Sequence, residues 1–347
     1  GAFAASAKQM GAAEAMVDLT MRFLPARFAL AGLFFAACVT SLCMGTSVGT
    51  IIALMPIAAG LAERTEMTLP IVAAAVVGGA FFGDNLSFIS DTTIVSTQSQ
   101  GCKLSDKFRF NIRMVLPVAI IAGLIYIFLG SEATEVVAPQ TIPFWKVIPY
   151  LTVLVCAAIG MNVLVVLVIA NLLTCITGII GGSYDFMGWI TRTLDGVMGM
   201  SELILISMLA GGIFAMISHN KGMDFIIERI TSRVKHRWGA ELSICLLVAF
   251  ANICTANNTI AILSVGDISR RISERFGIDP RRSASLLDTT SCCVQGLLPY
   301  GAQLLMASGL AGISAMSIVP YLYYPALLGI AVLATIFILH KRKYSKQ

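Results

Sequence analysis

Two carboxylates, Asp84 and Asp91, stand seven residues apart in the run GDNLSFISDTT (83–93). Asn85, Ser87, Ser90 and Thr92 lie between and beside them, each with an oxygen that can ligate a small cation. The run follows directly on the apolar stretch LPIVAAAVVGGAFF (69–82), so these groups arrive where the chain should be deep in lipid. A carboxylate at the bilayer centre costs at least ~2.5 kcal/mol, so such groups face a cavity and serve transport or proton relay. Seven residues is two helical turns, which would put both acids on one face. Burial raises a carboxyl pKa and a bound cation lowers it, so one carboxylate can trade Na⁺ for H⁺. That is antiport chemistry.

The elements that must position these groups are membrane helices. The chain has 347 residues, 57% hydrophobic and 12% charged, against roughly 25% charged in soluble domains. Its mean hydropathy is +0.85. Several windows approach the ~20 apolar residues that cross a hydrocarbon core, and the alternating ten-residue strands of a β-barrel are absent. The expected class is an all-α polytopic membrane protein. A net charge of +5 follows from basic loops and does not point to nucleic acid. Nine cysteines show no metal-ligand spacing, and Cys292-Cys293 are too close for ordinary disulfide geometry. They read as small polarizable packing residues.

An internal repeat organises the chain. GAFAASAKQMG (1–11) aligns with GIFAMISHNKG (212–222) at an offset of 211, which also pairs Cys43 with Cys254 and GTSVGT (45–50) with ANNTIA (256–261). A small gap then sets Pro70 opposite Pro280 and Asp84 opposite Asp288, with Ser87 on Ser291 and Asp91 on Gln295. Charge gives the direction. The stretches bearing Lys221, Arg229, Arg233, Lys235 and Arg237, and Arg270, Arg271, Arg275, Arg281 and Arg282, both read as cytoplasmic loops. The chain between them is too short for two full spans and a turn, so 239–269 is expected to enter and leave on one side. Its counterpart, 28–62, is flanked by Arg22, Arg27 and Arg64 with Asp18, Glu63 and Glu66, which suits the outside.

The reading divides the chain into a first repeat (1–142) and a second (143–347). The first holds a hairpin over 28–62, a broken helix over 69–97 and a helix over 114–130, with Lys103, Lys107, Arg109 and Arg113 in a basic loop. The second holds helices over 146–161, 163–181 and 201–218, a hairpin over 239–269, a broken helix over 283–311 and a last helix over 319–340. Segment 184–199 reads as interfacial, and the KRKYSKQ tail puts the C-terminus in the cytoplasm of a cell inner (plasma) membrane protein. Residues 1–11 match only the second half of the 201–218 helix, so roughly two and a half helices are expected upstream.

Inverted repeats with discontinuous helices mark secondary transporters, with the site where the repeats meet. Four breaks are expected, at 45–50, 83–93, 255–259 and 288–295. They offer Thr46, Ser47 and Thr50; Asp84, Asn85, Ser87, Ser90, Asp91 and Thr92; Asn257, Asn258 and Thr259; and Asp288 and Ser291. Half-helix C-termini and free carbonyls suit a cation. Asp84 and Asp91 are the expected Na⁺ ligands and proton carriers. Structural alternatives stay open: helix capping for Asp84, Asp91 and Asp288, and backbone bonding for Thr50, Ser90, Thr92 and Thr93. Gly78-Gly79 and Gly211-Gly212 read as close-packing positions, His219 and His236 as solvated, and Asp185, Asp195 and Glu202 as interfacial.

At GTSVGTIIALMPIA (45–58) and GGAFFGDNLSFISDTTIVS (78–96), followed by the basic loop, the chain resembles NhaC-type Na⁺/H⁺ antiporters of the wider ion transporter superfamily. ICTANNT and LLDTTSC carry the likeness into the second half. The resemblance implies inverted repeats with re-entrant hairpins and broken helices, Asp84, Ser87, Ser90, Asp91 and Thr92 as ion-site residues, and Thr46, Ser47 and Thr50 facing them. It departs at Phe88, where family members commonly carry Pro.

Na⁺/H⁺ exchange is the leading expectation, with no enzyme activity, no resident cofactor and the bilayer as partner; a homodimer is compatible with it. The alternative is Na⁺- or H⁺-coupled exchange of small organic carboxylates, of the malate/lactate type, or of amino acids. Lys and Arg read as confined to loops and helix ends, which favours a cation over an organic anion. An intramembrane aspartyl protease, with two acids activating water, fits poorly: 81–84 is FFGD and the repeat would go unexplained. A passive channel would lack steep pH dependence and fixed stoichiometry.

Overall fold

The computed structural model describes residues 1–23, 25–88, 90–131, 143–158, 161, 163–199 and 236–344, with scattered residues between 201 and 225. Among the described residues every regular element is helical. Helices α1 (Ala2–Gln9) and α2 (Ala12–Phe23) lead into a tight pair, α3 (Ala26–Met44) and α4 (Ser47–Thr65). Next come α5 (Leu69–Leu86) and α6 (Asp91–Gln100), two halves of an interrupted path, and α7 (Leu104–Gly130). Then α8 (Phe144–Ala158), α9 (Val163–Ile180) and α10 (Phe186–Met198) precede a second set. That set is α11 (Arg237–Thr255), α12 (Asn258–Phe276), α13 (Pro280–Leu297), α14 (Ala302–Ala311), the short α15 (Ala315–Ile318), a 3₁₀ turn at Val319–Tyr321 and α16 (Tyr323–Tyr344). The expected helix over 201–218 and the basic stretch 226–235 lie largely outside the described residues.

Among the described residues, five segments are long and apolar enough to cross a membrane: Ala26–Met44, Ser47–Thr65, Leu69–Gln100, Leu104–Gly130 and Arg237–Thr255. A sixth is added if Pro280–Ala311 and Ala315–Tyr321, bent by 101°, count as one. Length and composition alone make the protein multi-pass.

Helices α3 to α6 have 19, 19, 18 and 10 residues, and α11 to α14 have the same four lengths. Their first residues, Ala26 and Arg237, Ser47 and Asn258, Leu69 and Pro280, Asp91 and Ala302, are each 211 apart. The gap that set Asp84 opposite Asp288 therefore has no counterpart here; at constant spacing Asp84 stands opposite Gln295. The break expected at 288–295 is also displaced. Residues 280–297 form one continuous helix, and the interruption falls at 298–301. Asp288 and its neighbours keep their backbone bonds, whereas LPYG (298–301) brings Pro299, which cannot donate one.

The turns follow from local chemistry. Gly45 takes the left-handed conformation that ends α3 (φ 67°), and Thr46 caps α4 by accepting from the Gly49 N–H at 3.5 Å. The second pair turns the same way with Ala256, at φ 49° despite its Cβ, and Asn257 caps α12 by accepting from Ile260 N–H at 3.0 Å. An alanine there holds strain of order 1 kcal/mol. Arg270, Arg271 and Arg275, expected in a loop, instead extend α12, since GDISRRISERF has nothing to stop a helix before Gly277.

Helix α5 is the centre of the molecule. Every residue from Ile71 to Leu86 is buried, because small side chains let its neighbours approach. A Cβ on Gly79 would lie 2.5 Å from the Phe34 carbonyl oxygen, 2.6 Å from the Ala37 Cβ and 3.0 Å from the Cys38 nitrogen. The opposite arrangement marks the lipid side: Leu116, Ile120, Leu124 and Phe128 form an exposed apolar stripe on α7. Two neighbouring basic residues at the start of α13 differ from one another. Arg281 is exposed and bonded to Asp279, whose carboxyl it holds below the usual carboxylate range. Arg282 is buried in the first turn of α13, its Nη2 3.0 Å and its Nε 3.1 Å from Glu241 Oε2 on α11. Exposed His219 and His236 fit the solvated reading.

Two stability outcomes follow. Gly79→Val should lower thermal stability in detergent by about 1–3 kcal/mol by forcing α3 and α5 apart, while Gly239→Ala, with nothing within 4 Å of its added Cβ, should change it little. Glu241→Ala leaves the Arg282 charge buried and unpaired and should cost about 3–5 kcal/mol, read from the same melting curves.

Candidate functional site

The break in α5–α6 begins at Ser87 and ends at Ser90, the residue before α6. Its carbonyl groups are taken up by side chains. Thr92 Oγ1 and Thr93 Oγ1 donate to the Asp84 carbonyl at 3.3 and 3.0 Å. Lys107 Nζ and Asn111 Nδ2, both from α7, donate to the Asn85 carbonyl at 3.3 and 3.0 Å. Ser87 Oγ donates to the Leu42 carbonyl at 2.9 Å, tying the break to α3. The carbonyls of Asp84 and Asn85 are therefore already engaged, and are not the free carbonyls that would suit a cation. What remains for a ligand is side-chain oxygen.

The Asp84 carboxylate points the other way, towards the start of α4. Its Oδ1 accepts from the Ser47 N–H at 3.1 Å and from Ser90 Oγ at 3.4 Å. Ser90 Oγ also lies 3.1 Å from Thr92 Oγ1. A helix N-terminus offers partial positive charge to a carboxylate, roughly half an elementary charge at most. Among the described residues neither Asp84 nor Asp91 has a basic side chain within ion-pair distance. Asp84 is 3% exposed, whereas Asp91, in the first turn of α6, is open.

Both acids line a cavity of about 140 Å³. Around it stand Thr46 and Ser47 from the first hairpin turn, Asp84, Ser90, Asp91 and Thr92 from the break, Asn257, Asn258 and Thr259 from the second turn, and Gln295 and Gln303. Nine of the expected donors thus meet in one place. Five do not line it. Thr50 donates to the Thr46 carbonyl, Ser87 is bonded to Leu42, and Ser291 donates to the Asn258 carbonyl behind the turn at 3.4 Å. Asn85 and Asp288 belong to a polar cluster behind the cavity with Lys107 and Asn111. A larger cavity of about 180 Å³, between α1, α2 and the far end of α4, is bordered by Lys8, Glu14 and Glu63 and shares none of these donors.

Gln295 was expected at the 288–295 break, whereas sequence reasoning did not single out Gln303 and did not place Lys107 near the site. Gln295 Nε2 donates to the Ala256 carbonyl at 2.8 Å and to Gln303 Oε1 at 2.9 Å, and Gln303 Nε2 donates to Ser47 Oγ at 3.0 Å. The two amides bridge one hairpin turn to the other. Gln295 Oε1 is buried without a partner. A backbone carbonyl only accepts, so Nε2 is the atom that faces Ala256 and Oε1 the one left over. Lys107, expected in a basic loop, is 0% exposed and pairs with Asp288 at 2.5 Å. Its signal was helical spacing: Lys107, Asn111, Val115, Val118 and Ala122 all fall on the buried face of α7. The inference that no fixed cation stands near the breaks is corrected by this pair, although its charge is matched by Asp288 rather than by Asp84 or Asp91.

Among the described residues no three His, Cys, Asp or Glu side chains gather to hold a metal ion. The donor set is hydroxyl, amide and carboxylate oxygen, which suits hard cations.

Comparison with known proteins bears on what such a cavity serves. The sequence model of the Na⁺/H⁺ antiporter family matches residues 2–131 and 132–341. The chain is 21% identical to the malate-2H⁺/Na⁺-lactate antiporter of Bacillus subtilis, over 90% of this chain and 74% of that protein. It is 23% identical to the Na⁺/H⁺ antiporter NhaC of Alkalihalophilus pseudofirmus, over 80% of this chain and 66% of the relative. It is 22% identical to the arginine/ornithine antiporter ArcD of Halobacterium salinarum, over 80% of this chain and 64% of that protein. With the family model covering nearly its whole length and its helices long enough to cross a membrane, the chain belongs to the Na⁺/H⁺ antiporter family and is a multi-pass secondary transporter, not an enzyme.

Proposed function

We propose that this protein exchanges Na⁺ for H⁺ across a cell inner (plasma) membrane by alternating access to the cavity around Asp84 and Asp91. One observation carries the reading: two carboxylates share a small oxygen-lined cavity, and among the described residues neither has a cationic partner. A charge held deep in a bilayer protein is costly unless it is matched. Na⁺ or protons supply that match in turn, which is exchange by competition for the same oxygens.

In this reading Asp84 and Asp91 bind the cation and carry the proton. Ser90, Thr92, Asn257, Asn258, Thr259 and the free Oε1 of Gln295 contribute neutral ligands. Thr46, Ser47 and Thr50 shape the facing hairpin turn, while Asn85, Ser87, Asp288 and Ser291 hold the backbone around it. The constant 211-residue spacing of α3–α6 and α11–α14 supports two repeats, and the basic tail supports a cytoplasmic C-terminus with the repeats inverted. The two turns then meet at the midplane as re-entrant hairpins. A homodimer is compatible with this architecture.

A second reading is exchange of small organic carboxylates or amino acids coupled to Na⁺ or H⁺, favoured by the names of the Bacillus subtilis and Halobacterium salinarum relatives. Lys107 does not supply the charge such a substrate would need, because Asp288 holds it. In proteoliposomes Na⁺ should drive an opposing proton movement seen with a pH dye; malate–lactate counterflow without any Na⁺-induced pH change would favour the second reading.

Asp84→Asn and Asp91→Asn should each abolish Na⁺-driven proton movement while the protein still inserts and purifies; wild-type exchange in both would sink the site. Gln295→Leu should raise the Na⁺ concentration for half-maximal exchange by about tenfold, the loss of one ligand worth about 1.4 kcal/mol. An unchanged half-saturation would remove Gln295 from the ligand set.

A further inference from the structure

The cavity leaves one buried charge unused, and its surroundings are unusual. The Lys107 ammonium has three protons, and three oxygens receive them: Asp288 Oδ2 at 2.5 Å, Thr93 Oγ1 at 2.6 Å and the Asn85 carbonyl at 3.3 Å. An ammonium offers three donors and no acceptor, so its bonding capacity is complete. The same residues nevertheless carry a surplus of acceptors. Asp288 Oδ1, Asn85 Oδ1 and Asn111 Oδ1 are all buried without a partner. Their orientation is not ambiguous for the amides. Asn85 Nδ2 donates to the Phe81 carbonyl and Asn111 Nδ2 to the Asn85 carbonyl, and a carbonyl accepts only, so in each case the oxygen is the orphan.

A carboxylate, a hydroxyl and a backbone carbonyl at the end of a broken helix thus converge on one positive group. That is the donor set of a small cation site, and broken-helix carbonyls in transporters serve in that role. Here a tethered side chain supplies the cation. We propose that Lys107 fills a second cation-binding position, built from Asp288, Thr93 and the Asn85 carbonyl, which binds a free monovalent cation once the ammonium is removed. The consequence for transport is a matter of counting. A permanently filled second position takes no part in ion exchange and leaves that task to the Asp84/Asp91 cavity. The inference does not depend on which ion that cavity exchanges, and its test reads stability rather than transport.

Lys107→Ala deletes a three-carbon ammonium beyond Cβ, which n-propylammonium matches in length. The variant is made in full-length protein carrying Asp84→Asn and Asp91→Asn, so that the cavity carboxylates do not contribute, and purified in detergent. Melting is followed against Na⁺ and n-propylammonium, with choline holding ionic strength constant. Lys107→Ala should melt lower than its parent and regain about 5 °C or more, saturably, with n-propylammonium or Na⁺. The parent should not respond to n-propylammonium. A folded Lys107→Ala protein that responds to neither cation overturns the proposal. Should that variant not accumulate, Lys107→Met combined with Asp288→Asn has no charge left to balance and must fold, with melting independent of either cation. A double variant that fails to fold, or that still responds to n-propylammonium, overturns it equally.

Discussion

A helix that stops inside a packed core must find donors for the carbonyls it no longer bonds internally, and α5 stops at Leu86 with its surroundings buried. An unsatisfied backbone group in such a place costs several kcal/mol. The rest of the structure around the break can be traced to that requirement. The Asp84 carbonyl is met by Thr92 and Thr93, which is why α6 begins where it does. The Asn85 carbonyl is met by Lys107 and Asn111, which draws the first turns of α7 out of solvent and into the core. A buried lysine then needs a counterion, and Asp288 provides it from the middle of α13. One interruption thereby fixes three further helices.

The same requirement frees the acidic side chains for other work. With its carbonyl satisfied from behind, Asp84 turns its carboxylate to the N-terminus of α4 and accepts from the Ser47 N–H. Helix-end amides lessen the charge without cancelling it. Across the cavity the matching place is taken by Gln295, whose amide bonds the Ala256 carbonyl and reaches Ser47 through Gln303. Helices α3–α6 and α11–α14 match in length and spacing but bring different charge to the cavity. In the proposed exchange, proton chemistry is therefore concentrated in the first half, and the second contributes neutral ligands and a bridge between the turns.

Close packing makes this arrangement possible in an apolar medium. Lipid offers little hydrophobic drive between helices, so contact area and small residues must hold them together. Gly79 and Gly83 let α3 lie directly against α5; a Cβ on Gly83 would run into Ser41. Charge is used sparingly within this packing: Lys107 with Asp288 and Arg282 with Glu241 are each matched inside the protein. Such pairs add little net stability over an apolar core but are costly to break, so they specify which helices meet.

From composition and local pattern alone, the class of the protein, its helical pairs, the interruption near Asp84 and the oxygen-rich character of both turns were already determined. These are local properties: apolar length, Gly45 and Asn257 at turns, and a polar run where lipid forbids one. The displaced second break and the burial of Lys107 were not legible in the same way. LLDTTSC resembles a break because hydroxyls and an acid cluster there, yet the backbone stays helical until Leu297, ahead of Pro299. A sequence of Lys, Arg and Phe after a span looks like a solvated loop until the broken helix beside it demands donors. That demand comes from Asn85, 22 residues from Lys107 along the chain, and the counterion Asp288 is 181 residues from Lys107. The sequence determined which groups were present; only the tertiary structure decided which carbonyls lacked donors, and hence which charges had to come inside.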